Sequence, residues 1–247
     1  MKDKLRKALK AARLAREPLW RYGMRHGIAA SIEHDKLQLA SDFRTVIDVG
    51  ANRGQFALYS LVRFPQARIY SLEPLVRPRQ TMAALVQECN RLQVIPKAAG
   101  ATTGTAQINV SHEDDSSSLL SIGKLQVERH PETAAVGVEE VEVTTLDTAM
   151  AGVDLDGPVL LKLDVQGFEL EALKGASSLL QHVDTVLTEA SFVSFYDGQV
   201  LFDELHAWLK QAGFALVNGS ISSRASGRWE QGDFVYQRRE PALEWAA

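Results

Sequence analysis

The chain has 247 residues, a net charge of -4 at pH 7, 45% hydrophobic side chains and 23% charged ones. Those proportions suit one large α/β domain, with or without a short appendage. They exclude the broad basic surface that a nucleic-acid binder requires.

In chain order, the first segment is basic: MKDKLRKALKAARLAREPLWRYGMRHG. Leu5, Ala8, Leu9 and Ala12 form a thin apolar stripe at helical spacing. Such a helix either makes weak contact with an anionic membrane surface or docks its apolar face on the domain. A stripe made mostly of alanine, without large anchors, favours docking. The expected division is a basic helical extension over residues 1–40 and a main domain over 41–240. No stretch reads as a secretory signal or a bilayer span, and the single cysteine, Cys89, can form no internal disulfide, so a cytoplasmic location is expected.

VIDVG reads as a buried strand and Arg53 to Arg63 as a helix; ARIYSLEP is a second strand ending at Glu73 before Pro74. A helix over about Arg77 to Asn90 precedes LQVIPKAAG, a third strand. This alternation predicts parallel strands joined by right-handed crossovers. TGTAQINVS and GVEEVEVTTL instead alternate polar and apolar residues, as exposed antiparallel strands do. The long polar loop between them, His112 to Val136, predicts an insertion over one end of the sheet. Thr145 or Asp147 is expected to cap the short helix after it. Parallel order returns with PVLLKLDVQG, a strand ending at Asp164, then the helix FELEALKGASSLLQ and VDTVLTEAS, a strand ending at Glu189. A helix from about Val200 to Gln211 leads into FALVN and DFVYQRR, a strand pair around a Gly/Ser-rich hairpin.

The glycine turn after the first strand tests the cofactor. A dinucleotide fingerprint needs glycine at 50, 52 and 55, but the chain has Gly50, Asn52 and Gln55. Asp48 would repel phosphates, and the lysine of a nucleotide-triphosphate loop is missing. The turn suits S-adenosylmethionine: Asp48 for its ammonium, backbone N–H groups at the helix start for its carboxylate, and Gly50 and Gly54 for close backbone approach. Glu73 is placed to accept hydrogen bonds from both ribose hydroxyls.

VIDVGANRGQFAL, SLEP, VTTLD and LKLDVQGFELEALKGA resemble the FkbM-type S-adenosylmethionine-dependent methyltransferases, and EASFVSFYDGQVLFDEL and QGDFVYQRR are similar to that family's closing segments. The similarity runs from about Val46 to Arg238 and leaves the basic helix outside. It implies a Rossmann-like, seven-stranded class I methyltransferase sheet with helices on both faces, a β-hairpin insertion and an antiparallel last strand. It also implies methylation of a hydroxyl, commonly on a sugar of a glycan, glycolipid or secondary metabolite. By motif match, Asp48, Gly50, Asn52 and Gly54 would line the methionine end of the cofactor and Glu73 the ribose.

Because the sulfonium methyl is already activated, the enzyme must align the acceptor and dispose of its proton. Asp164 is the first candidate for base or acceptor anchor; orienting the cofactor's ammonium or capping the next helix is its alternative role. His112 is the second candidate base, although an exposed loop histidine is commonly a bystander. Glu189, Ser117 and Tyr196 are candidate acceptor contacts, with aromatic faces after the fifth strand available to stack on a sugar. His34 is a further residue that would cap the site from the N-terminal side, and Lys162 shares a strand face with Asp164, as an ion pair would. Oxygen ligands after the fifth strand are scarce, so no metal is expected. The alternatives are N-methylation of a small amine and a non-catalytic protein that only binds the cofactor.

Overall fold

The structure is a computed structural model and describes residues 2–155 and 157–239, the side chains of residues 2–7 excepted. Its strands are β1 (Thr45–Val49), β2 (Arg68–Leu72), β3 (Leu92–Ile95), β4 (Ala98–Ala99), β5 (Gly104–Ser111), β6 (Ala135–Thr144), β7 (Val159–Leu163), β8 (Thr185–Ser191), β9 (Phe214–Ala225) and β10 (Arg228–Arg238). Its helices are α1 (Lys2–Leu14), α2 (Pro18–Arg25), α3 (Gln55–Arg63), α4 (Val76–Glu88), α5 (Lys124–Arg129), α6 (Leu146–Ala149), α7 (Glu169–Lys174) and α8 (Phe202–Gln211). Seven strands form one sheet in the order β3-β2-β1-β7-β8-β10-β9, with β10 antiparallel to both neighbours and every other pair parallel. The strand order reverses between β1 and β7, and in such sheets ligands bind beyond the carboxyl ends of the strands at that point.

Every residue of β1 and β7 is buried, as strands covered on both faces must be. Alternate side chains serve two cores: Val46 and Leu160 face α3 and α4, whereas Ile47 and Leu161 face α6, α7 and α8. The N-terminal segment contributes to the first of these cores through Leu14, Trp20, Ile28 and Leu37, and the Trp20 indole donates to the carbonyl of Leu58 at 3.2 Å.

Helix α1 corrects the expectation for its apolar stripe. Ala8, Leu9 and Ala12 are exposed, Leu9 at 63%, while the Leu5 side chain lies outside the described residues. The helix is held through Leu14 and by ion pairs of Lys10 with Glu33 (2.7 Å) and Arg13 with Asp35. Asp35 also receives the Tyr59 hydroxyl at 3.0 Å and Arg63 at 3.2 Å. Charge, and not a row of alanines, orients this helix.

Two other expectations change at breaks in the chain. LQVIPKAAG is not one strand: after Ile95 and Pro96 the chain leaves the large sheet, and Ala98–Ala99 joins a second, three-stranded sheet, β4-β6-β5. Proline lacks the N–H that a continuing ladder needs. The helix after Asp164 stops at Lys174, and its C-cap, Gly175, lies against the Gly100 carbonyl, 2.2 Å from where a Cβ would stand. Asp147 then accepts from the N–H groups of Ser178 and Leu179, while Thr145 caps α6.

The insertion is the expected β-hairpin, β5 with β6, but its connecting loop is not structureless. It contains α5 and is tied down at several points. Asp114 pairs with Arg53 of the glycine turn at 2.9 Å, and Arg129 pairs with Glu230 at 3.2 Å. The Gly123 N–H donates to the Phe195 carbonyl at 2.8 Å. The final hairpin turns at Ser226-Gly227, both with positive φ (49° and 77°), as a two-residue turn between twisted strands requires.

Candidate active site

A cavity of about 420 Å³ opens at the carboxyl ends of β1, β2 and β7. The glycine turn and Glu73 line it on one side, Lys162 and Asp164 on another, and Asp114, Asp115 and Ser117 to Leu119 of the insertion on a third. Lys10, Glu33 and His34 line it from the N-terminal side, so His34 does reach the site, its ring edge-on to Phe56 at 5.0 Å.

The turn is set by close contact. A Cβ at Gly50, where φ is +76°, would lie 1.9 Å from the Asp164 carbonyl, so glycine alone lets β1 and β7 end side by side. Asn52 is also left-handed (φ 49°), and its side chain accepts from the Arg53 N–H at 2.6 Å. Gly54 stands behind the cavity as the N-cap of α3, against Met82. The N–H groups of the turn itself are engaged internally, so they add nothing to the carboxylate cradle expected at the start of α3: Gly50 and Ala51 donate to Leu72, Asn52 to Glu73, Arg53 to Asn52 and Gly54 to Ala51.

Asp48 is corrected as well. It is wholly buried, does not line the cavity and pairs with Lys162 at 3.0 Å. Lys162 also donates to the Gly50 carbonyl at 3.2 Å and stands 3.6 Å from Asp164. Burial opposes the charge of Lys162, but the carboxylates of Asp48 and Asp164 overcome it and hold the ammonium above the ordinary lysine value. The ammonium partner assigned to Asp48 is therefore this lysine.

Glu73 keeps its expected place. Its two oxygens accept from the N–H groups of Asn52 and Leu75, each at 2.8 Å, leaving further acceptor capacity on both. Burial pushes its carboxyl up to about 7, against the pull of those two bonds. Among the described residues Ser31 Oγ and Gln55 Oε1 are buried without a hydrogen-bond partner, and both residues line the cavity. A diol acceptor at Glu73 and unpaired polar atoms at Ser31 and Gln55 fit the ribose and the ammonium of S-adenosylmethionine. Ser31 and Gln55 were invisible in the sequence, because Gln55 stood only as a failed glycine.

Asp164 faces the cavity with its side chain 39% exposed. Its Oδ1 accepts from Gln166 Nε2 at 2.7 Å, which leaves Oδ2 toward Lys162. Asp115, from the Glu113-Asp114-Asp115 run of the insertion, also lines the cavity. Partial burial raises its carboxyl, and the charges of Asp164 and Glu113 add to that. Ser117 lines the cavity, with its Oγ accepting from the Ser111 N–H at 3.0 Å.

Three candidates are not at the surface of the cavity. His112 is exposed on the far side of the insertion, its N–H bonded to Ala134, and so is no base for this site. Tyr196 is 1% exposed and presents no face for stacking; its hydroxyl lies 2.7 Å from Gln166 Oε1. Glu189 lies behind Gln166, which donates to it at 3.1 Å. Burial first, then Asp164 and Asp233, hold the Glu189 carboxyl well above its usual range.

Residues 48–216 match the methyltransferase FkbM domain. The 2-O-methyltransferase NoeI of Sinorhizobium fredii is 26% identical over 165 residues, 63% of this chain and 66% of that protein. The methyltransferase sdnD of Sordaria araneosa is 27% identical over 219 residues, 79% of this chain and 81% of that protein. Magnesium protoporphyrin IX methyltransferase (ChlM) of Synechocystis PCC 6803 superposes with a TM-score of 0.45 at 13% identity, over 80% of this chain and 71% of that one.

A sheet that reverses order at β1 and β7, an antiparallel β10 slotted between β8 and β9, and a buried acid ending β2 define a class I S-adenosylmethionine-dependent methyltransferase. The chain belongs to the FkbM methyltransferase family, and its cofactor is S-adenosylmethionine.

Glu73 yields a prediction for cofactor binding. The role expected of its carboxylate is to accept the ribose hydroxyls, and each bond to a charged acceptor contributes about 1.5–3 kcal/mol. Glu73→Ala is therefore expected to weaken S-adenosylhomocysteine binding tenfold or more, roughly one such bond or two. Because the Glu73 carboxyl is raised to about 7, the acid form dominates below that pH and removes acceptor capacity. Affinity should fall as pH drops from 8 to 6, and Glu73→Gln should flatten that dependence. Calorimetry at several pH values decides: a wild-type affinity independent of pH, or an unchanged Glu73→Ala, removes the assignment.

Proposed function

We propose that this methyltransferase acts on a sugar hydroxyl of a glycan, glycolipid or glycosylated metabolite, with Asp164 as the base. The observation that supports it most is Asp164 itself, a carboxylate open to the cavity at the switch point, with Oδ1 hydrogen-bonded to Gln166 and Oδ2 in a longer ion pair with Lys162 at 3.6 Å. The bound cofactor supplies a sulfonium-activated methyl group. Asp164 Oδ2 takes the hydroxyl proton as the oxygen attacks. Asp115 and Ser117, across the cavity on the insertion, supply acceptors for neighbouring hydroxyls, as polyol recognition requires. A relative described as a 2-O-methyltransferase, NoeI, supports oxygen as the atom methylated.

Phe56 and the insertion cover the site and limit water near the reacting atoms. Among the described residues no helix is long and apolar enough to cross a membrane, and we place the reaction in the cytoplasm, with Cys89 unpaired there. The decisive experiment transfers a labelled methyl group from S-adenosylmethionine to glycan and glycolipid fractions, with amines and protein as parallel acceptors. Label in a sugar O-methyl ether is the expected product. Label confined to amines or protein, with every glycan inert, sinks the sugar assignment.

Among the described residues no group of three or more His, Cys, Asp or Glu side chains is arranged to hold a metal ion. Asp164 is engaged by Gln166 and Lys162, and Glu189 is screened by Gln166, so these two carboxylates do not converge on an open point. Turnover is expected to survive EDTA unchanged. Loss of activity with EDTA and its return with magnesium would make Asp164 a ligand and remove it as the base.

A further inference from the structure

We propose that Gln166 is the positioning residue of this site, aiming the Asp164 carboxylate by a hydrogen-bond hub that joins β7, β8 and the insertion. The inference rests on the reading of Asp164 as base. Gln166 follows Asp164 by two residues and adopts a left-handed backbone (φ 55°) that side-chain-bearing residues rarely adopt. Gly167, also at positive φ (94°), continues the turn. This backbone turns the amide back over the strand ends. Both amide hydrogens are used, one on Asp164 Oδ1 at 2.7 Å and one on Glu189 Oε2 at 3.1 Å. The amide oxygen lies 2.7 Å from the Tyr196 hydroxyl, and the Gln166 carbonyl accepts from Ser118 Oγ at 2.8 Å.

The neighbours dictate which way the amide points. Reversal would turn its oxygen toward two carboxyl groups and its NH₂ toward a hydroxyl that is itself held near the Ser116 carbonyl at 3.1 Å. Tyr196 is in turn fixed by Gln199, whose side-chain oxygen accepts from the N–H groups of Phe195 and Tyr196 at 2.8 and 3.2 Å. The insertion, through Ser116 and Ser118, therefore reports its docking to Asp164 through one side chain. A glutamate here would keep the size of the side chain and lose both donors.

Among the described residues the titratable groups facing Asp164, beside the Tyr196 hydroxyl, are Lys162 on its own strand, Glu189 on β8, Asp233 on β10, Glu169 on α7 and Asp115 on the insertion. All but Lys162 and Tyr196 are carboxyls, so losing the amide donors leaves Asp164 among like groups. The test follows the Asp164 side-chain carboxyl by ¹³C NMR in the full chain saturated with S-adenosylhomocysteine, its signal identified by its absence in Asp164→Asn. Gln166→Glu is expected to raise the pH midpoint of that signal by about one unit or more, the scale of a nearby like charge or a lost donor. Cofactor affinity should stay within about threefold, because Gln166 holds no cofactor group in this reading.

Tyr196→Phe provides a second variant should Gln166→Glu not fold. It keeps the packing but frees the amide to reverse, and should move the midpoint in the same direction by less. An unchanged midpoint in a folded variant overturns the positioning role. That readout does not depend on whether Asp164 is the base, so its failure is separable from retained transfer in Asp164→Asn.

Discussion

Lys162→Met is expected to be the most damaging single substitution for stability. Lys162 and Asp48 face each other across β1 and β7, in register, with side-chain exposures of 6% and 0%. Neither charge is solvated, so each depends on the other. Removing one partner of a buried pair leaves an uncompensated charge and costs about 3–5 kcal/mol. For a chain of this size each kcal/mol lowers the melting temperature by roughly 2–4 °C. A fall of roughly 6–20 °C is therefore expected on those two scales. Asp48→Asn in the Lys162→Met background should recover a large part of it, since the orphaned charge is then gone. The double-mutant cycle separates this from the other contacts of the lysine, whose Nζ lies 5.7 Å from the centre of the Phe56 ring. Melting curves that are alike for Lys162→Met and wild type would show that the pair carries no such weight.

Much of the fold was legible because its strands carry their burial in their composition. TVIDV and VLLKL read as doubly covered parallel strands, and both are buried throughout. Glu73 and Asp164 were legible for the same reason, as polar residues where an apolar run stops at a strand's carboxyl end. Lys162 was legible as an ion-pair residue by alternation, although its principal partner, Asp48, lies on the neighbouring strand. What failed depends on contacts distant in sequence. Asp48 reads as a cofactor contact only while the lysine 114 positions later is unplaced. Tyr196 follows a strand as an exposed aromatic would, but the insertion closes over it. Gln166, Gln55 and Ser31 are ordinary polar residues, and only their placement shows which atoms are committed and which are left over. Asp115 and His112 lie three positions apart in one loop. The docking of Asp114 onto Arg53 selects the first for the cavity and turns the second out.

Asp164→Asn is expected to retain much of the affinity for S-adenosylhomocysteine and to lose methyl transfer by about 10²-fold or more, the contribution of a positioned general base. The substitution is close to isosteric, and it touches none of the atoms assigned to the cofactor: Glu73, Ser31 and Gln55 remain as they are. Its amide retains an oxygen to accept from Gln166, which holds the side chain in place at the present 2.7 Å contact. The atom directed into the cavity then has no basic lone pair for a hydroxyl proton. Lys162 keeps its main partner, Asp48, at 3.0 Å, so the fold should tolerate the change. Loss of transfer with retained binding therefore isolates the chemistry from both folding and cofactor capture. The pH dependence distinguishes a base from an anchor. An anchor lost to asparagine raises KM for the acceptor and leaves kcat's pH profile in place, whereas a lost base removes the rise of kcat with pH. Near-normal transfer by a variant that binds cofactor would exclude Asp164 as base. Asp115, a carboxyl that lines the cavity from the insertion and feels the charge of Asp164, would then take its place.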